Sequence, residues 1–176
     1  MSETKDNTQK QRPSLLSDLL FLLLKIGIIA LFVVIIFTFF FGIVQVRDNA
    51  MDPAVKDGDL VIYYRLDKNY VASDLAVLQK QGKTQVRRVV GIDGDKIDIN
   101  RDNGLEINGY PQQEDNIYTE TLPVVGKTKF PLTVGTEQVF VLGDNRKYAV
   151  DSRTYGCVDK SDTKGKVIAV IRRRNL

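Results

Sequence analysis

Two carboxylates, Asp48 and Asp52, stand four positions apart just beyond a long apolar run. A second charged set, Asp144, Arg146, Asp151 and Arg153, is spaced through residues 143–156 around Ser152. A carboxylate pair can do acid–base or nucleophilic work only if one pKa is raised, by burial or by the other carboxylate. The bland reading of the second set is an ion-pair group fixing a turn, with Ser152 as a turn hydrogen-bonder. The sequence contains no histidine and one cysteine, Cys157. That excludes Ser-His-Asp and Cys-His triads, histidine metal sites and imidazole acid–base chemistry. It also excludes an internal disulfide and a cysteine metal cage, and no metal or cofactor is expected. Any hydrolytic chemistry must rest on a lysine or a carboxylate. Cys157 itself reads as a small buried side chain.

The charge balance narrows the class further. The 176 residues carry 25 Lys+Arg against 22 Asp+Glu, a net charge of +3. No positive blanket is available, which argues against a nucleic-acid partner. The basic tail Arg172-Arg173-Arg174 reads as a solvated end that could also touch anionic lipid or wall polymer.

The elements that must position these residues fall into two unlike parts. Residues 19–44 contain one charge, Lys25, and the uncharged stretch 26–44 is 19 residues long. As a helix it would rise roughly 28 Å, close to the thickness of a bilayer's hydrocarbon core. No A-x-A-like cleavage site follows it, so an uncleaved anchor is expected over 19–44. Lys5, Lys10, Arg12 and Lys25 place residues 1–18 on the cytoplasmic side, with a polar, disordered start. Residues 45–176 would then form one extracytoplasmic domain. Short β-branched runs at 59–65, 85–90, 95–100, 105–108, 138–142 and 166–171 predict strands. Asn103-Gly104, Asn108-Gly109, Gly126-Lys127 and Gly143-Asp144-Asn145 predict the turns between them. Strands so short and frequent predict a mainly β domain, a barrel or coiled sheet.

Three segments carry a family resemblance. Ala50-Met51-Asp52-Pro53, with Gly58-Asp59-x-Val61, resembles the Ser-Met-x-Pro…Gly-Asp-x-Val region of type I signal peptidases. Arg87-Arg88-Val89-Val90-Gly91, ending in Gly94-Asp95, resembles that family's Lys-Arg-Val-Val-Gly…Gly-Asp box. Residues 143–156 are similar to its Gly-Asp-Asn-Arg…Ser-x-Asp-Ser-Arg…Gly box. All three occur in order behind an apolar segment, and the resemblance covers residues 20–173. The resemblance implies a membrane-anchored, antiparallel β domain that binds an extended peptide. It also implies a serine–lysine dyad, in which a lysine held neutral by burial takes the serine's proton.

The chain departs from the family at the chemistry. The nucleophile position is Ala50, and the base position is Arg87, which does not lose its proton in proteins. The serine that supports the lysine falls on Ala149. The position that often helps the oxyanion hole is Asp48, where a carboxylate repels the developing charge; losing one such donor costs about 3–4 kcal/mol. An Asp48–Arg87 ion pair filling the vacated site is the expected replacement, since Arg87 would hold the carboxylate ionised. Met51, Pro53, Asp144, Arg146, Asp151, Ser152 and Arg153 keep the family's frame as cleft or structural residues. This combination resembles the catalytically degenerate signal-peptidase-like proteins of Gram-positive bacteria that accompany sortases in pilus assembly. It implies a non-proteolytic chaperone or docking factor whose partners are the bilayer and pilin subunits, a sortase, or both. Two other readings stay open: an active signal peptidase I, and an anchored binding module.

Overall fold

The computed structural model describes residues 15–100, 104–113, 117, 119–125 and 127–172. The polar start, Asn103, Gly126 and Arg173-Arg174 lie outside the described residues. The chain divides into two compact units, residues 1–38 and 39–176.

Helix α1, Leu15–Phe40, is apolar on every face and buries none of its residues. It is long and apolar enough to cross a membrane. Its apolar composition runs on to Val44, but Phe41–Gln45 forms strand β1. The 19–44 stretch is therefore shared between helix and strand. Pairing makes the division: Phe41 faces Tyr64 and Gln45 faces Leu60 on an antiparallel neighbour.

The second unit is mainly β. After β1 come β2 (Leu60–Tyr64), β3 (Leu75–Lys80), β4 (Lys83–Gly91), β5 (Lys96–Asn100), β6 (Gly104–Ile107) and β7 (Tyr110–Pro111). Then follow β8 (Leu132–Thr133), β9 (Gln138–Leu142), the one-turn helix α2 (Ser152–Tyr155), β10 (Val158–Asp159) and β11 (Thr163–Ile171). One sheet has the order β1-β2-β11-β3-β4-β9-β10, the other β7-β6-β5-β8. Every pairing is antiparallel. Asn108 and Gly109 both have positive φ, 55° and 83°, as a two-residue hairpin turn requires, and join β6 to β7.

Sequence reading passes over β3. Leu75-Ala76-Val77-Leu78 shows no alternation because the strand is central, between β11 and β4, and Ala76, Val77 and Leu78 are all fully buried. Strand β4 ties the core together. Val86 packs with Met51, Val55 and Val61; Val89 with Val139 and Val141; Val90 with Phe140 on the neighbouring β9 and with Ile97 on the second sheet. A bulge between Val89 and Gly91 re-aims the strand and lets one element serve both sheets.

Candidate functional site: a cleft between two strand edges

The loop after β1 is fixed from beneath. Val46 N–H donates to Asp59 O and Gly58 N–H to Val46 O, each at 2.9 Å. Met51 and Val55 are wholly buried in the core under this loop, and Val55 N–H closes a turn onto Met51 O. Asp59, itself buried, accepts the Lys56 N–H at 2.9 Å. The Met51 plug and the Gly58-Asp59 turn thus set the height of Ala50. Pro53 is exposed and stands apart from the cleft described below; its carbonyl receives Arg172.

The loop after β9 clamps Ala50 from the other side. Asn145 N–H donates to Ala50 O at 2.9 Å, and Asn145 Nδ2 to Asn49 O at 3.2 Å. A Cβ on Gly143 would meet Ala149 Cβ at 2.3 Å and Ala50 O at 2.5 Å, so only glycine admits this contact. The clamp is held by buried charge. Asp151 Oδ2 accepts from Gly143 N at 3.1 Å and from Arg153 Nη2 at 2.9 Å, while Oδ1 accepts from Arg153 N and Nε. Arg153 Nη2 also donates to Arg146 O, and Arg146 Nε to Gly143 O. Arg146 further bonds Thr121 Oγ1. Ser152 Oγ, fully buried, accepts the Val141 N–H at 3.0 Å, which makes it a structural hydroxyl. Asp144 reaches out of its loop to Arg88 in a bidentate pair of 2.7 and 2.5 Å, tying the third sequence box to the second.

Arg87 comes off β4 beneath Ala50 and is 2% exposed. Nε donates to Val150 O at 3.0 Å, Nη1 to Val86 O at 2.6 Å and Nη2 to Asp48 Oδ2 at 3.1 Å. The other Asp48 oxygen accepts the Ala50 N–H at 3.2 Å. One carboxylate therefore joins the guanidinium to the backbone donor at position 50. Beside them, the Tyr155 hydroxyl is buried with no hydrogen-bond partner among the described residues. Its pKa is pushed well up, chiefly by burial; Arg87 opposes the shift and Asp151 and Asp48 add to it. Burial also raises the Cys157 thiol, which packs beside the third core cluster.

A cleft of about 740 Å³ opens above this arrangement. Asp48, Ala50 and Arg87 line it, together with Ile43–Gln45, Arg47, Lys83–Gln85, Tyr148 and Val150. Of the sequence candidates, Met51, Asp144, Arg146, Asp151, Ser152 and Arg153 are buried supports that do not line it; Ala149 packs against Gly143. Both long walls are open strand edges. Among the described residues, β1 pairs only with β2. Residues 83–87 of β4 pair with β3 on one side, while β9 covers only 88–91 on the other. Sequence reading missed Lys83–Gln85 as cleft residues, although the Gln81-Gly82 turn ahead of them was visible.

The model of the family described as "Signal peptidase, peptidase S26" matches residues 19–172. The chain belongs to the signal peptidase family. Among relatives, it is 28% identical to Signal peptidase IB of Staphylococcus aureus over 142 residues, 69% of this chain and 73% of that protein. It is 34% identical to Signal peptidase I of Mycobacterium tuberculosis over 77 residues, 40% of this chain and 26% of that protein. A solved signal peptidase I from Enterococcus faecalis V583 is 26% identical, with a TM-score of 0.48 over 57% of this chain and 97% of that one. Within the signal peptidase family, this cleft has a methyl group at position 50 and a guanidinium at 87, neither of which can serve as nucleophile or base.

Proposed function

We propose that this member works without proteolysis, as a membrane-anchored docking factor or chaperone. α1 serves as the anchor, with the N-terminus in the cytoplasm and the β unit outside the cell membrane. One observation carries the reading: Asp48 occupies both the guanidinium at 87 and the Ala50 N–H. In that state no hydroxyl is activated, and the backbone donor that an oxyanion needs is already taken. The two open edges are still suited to a polypeptide, which can add as a strand through its main chain. The resemblance to degenerate pilus-assembly proteins makes pilin subunits or a sortase the proposed partner.

A second reading, an active signal peptidase I, draws on the relatives that bear that name. Purified full-length protein incubated with a preprotein separates the two. No cleavage is expected. Cleavage that persists in pure protein and vanishes on changing Asp48 would overturn the proposal in favour of carboxylate chemistry.

A further inference from the structure

The cleft mixes apolar walls with charged ones, and its charge is one-sided. Its one lining carboxylate, Asp48, is neutralised by Arg87 at 3.1 Å. Arg47 on one wall and Lys83 on the other are exposed, and neither forms an ion pair among the described residues. Two more cations stand at the rim. Lys164 Nζ donates to Thr84 Oγ1 at 2.9 Å, and Lys147 Nζ lies 5.5 Å from the centre of the Tyr148 ring. Between them, Gln85 lines the floor. It is 7% exposed; its Nε2 donates to Lys80 O at 3.4 Å, and its Oε1 has no partner.

We propose that the cleft takes an extended polypeptide segment bearing carboxylate side chains, which Arg47 and Lys83 receive from opposite walls. This rests on the docking reading above and specifies its partner. A lysine on an open strand edge can also serve only to discourage pairing. That role would not place a second cation, Arg47, on the facing wall.

The test uses the full chain in nanodiscs and fluorescence anisotropy with labelled eight-residue peptides. One peptide carries glutamate at alternate positions; its analogues carry glutamine or lysine there. Two exposed ion pairs are expected to favour the glutamate peptide over the glutamine one by about tenfold at low salt. The preference should shrink at high salt. Arg47→Glu with Lys83→Glu, both at exposed positions, should transfer the preference to the lysine peptide. If glutamate and glutamine peptides bind equally and a side chain filling the cleft (Val150→Trp) blocks both, the charge assignment falls and the docking reading stands. If the double reversal leaves glutamate binding unchanged, the carboxylates are received elsewhere and the inference is wrong. If no peptide binds at millimolar concentration, the docking reading falls with it.

Discussion

Arg87 Nη2 sits 3.1 Å from Asp48 Oδ2, and the second oxygen of that carboxylate accepts the Ala50 N–H. The guanidinium is buried, whereas the carboxylate is 37% exposed. Removing one partner of a fully buried pair costs about 3–5 kcal/mol. Here solvent reaches Asp48, and Arg87 keeps two carbonyl acceptors. Asp48→Ala is therefore expected to cost only about 1–2 kcal/mol. Arg87→Met strands the Val150 carbonyl as well and should cost more. Urea melts of the two single variants and the double should show a coupling of about 1 kcal/mol. Strict additivity would mean that the pair is geometric and contributes nothing.

The same contact sets the order in which a peptidase could be rebuilt. Ala50→Ser with Arg87→Lys supplies a nucleophile and a titratable amine. Asp48 would still pair with the new lysine, hold it charged and retain the Ala50 N–H. The double variant should therefore not cleave a preprotein. Adding Asp48→Ser and Ala149→Ser removes that brake and restores hydroxyls around the site. Product on a gel from the fourfold variant alone is the expected outcome. Cleavage already in the double variant would show that Asp48 does not block the site.

Tyr155 offers a test by pH. Its hydroxyl is buried without a partner, and its folded pKa lies well above the ordinary 10, first because of burial. A raised folded pKa gives stability that is complete below pH 10 and lost as pH rises toward the folded value, because only the unfolded chain ionises. The loss should reach about 1 kcal/mol at pH 11. Tyr155→Phe removes the ionisable group. Its melting temperature should match or exceed wild type at pH 7, since no hydrogen bond is lost. It should also fall less than wild type between pH 9 and pH 11. Equal alkaline losses in both proteins would place the Tyr155 hydroxyl in contact with solvent.

How far these features could be read in advance depended on their range. The strands β5, β6 and β9 alternate or are β-branched over short runs, and their positions follow from the residues alone. β1 does not announce itself, because Phe41-Gly42-Ile43-Val44 is as apolar as the helix before it; its partner β2 makes it a strand. β3 is hidden by burial on both faces. At the site, the Asp48–Arg87 pair was expected from the residue types that replace the dyad. The Asp144–Arg88 pair spans 56 positions and was masked by nearer arginines in its own loop. The family resemblance implies a cleft between the Val44–Met51 segment and the Arg87–Val90 strand. The structure places its β4 wall on the other side of Arg87, along Lys83–Gln85, because β9 covers the 88–91 edge and leaves 83–87 open.

Cys157 should be dispensable. Burial raises its thiol and leaves it poorly ionised near neutral pH. It is the chain's one cysteine, so no internal bridge depends on it. Cys157→Ser should lower stability by about 1 kcal/mol or less, through lost packing alone. Labelling of the native protein with a maleimide should be slow compared with the unfolded chain. Rapid native labelling would point to a reactive thiol.

If the working surface is the cleft, blocking it should matter more than changing Asp48 on its floor. Val150 lines the cleft and is 43% exposed, so Val150→Trp fills the space without entering the core. Arg47 lies on the opposite wall, and its N–H bonds no carbonyl among the described residues. Arg47→Pro therefore removes a donor that an added strand could use while leaving internal bonds intact. Val86 is a poorer choice, because it is buried and paired with Val77, so a proline there attacks the fold itself. Asp48→Ala is the contrast: it opens the cleft floor and leaves both edges intact. If pilin subunits are the partner, as proposed, immunoblots of cells that assemble the pilus should show high-molecular-weight product reduced by about tenfold or more for Val150→Trp and Arg47→Pro. Asp48→Ala should leave it largely unchanged. Circular dichroism of each purified protein must show the native β spectrum for the comparison to count. Should both blocking variants fold and the polymer still form, the partner docks away from the cleft, and the two open edges have no role in assembly.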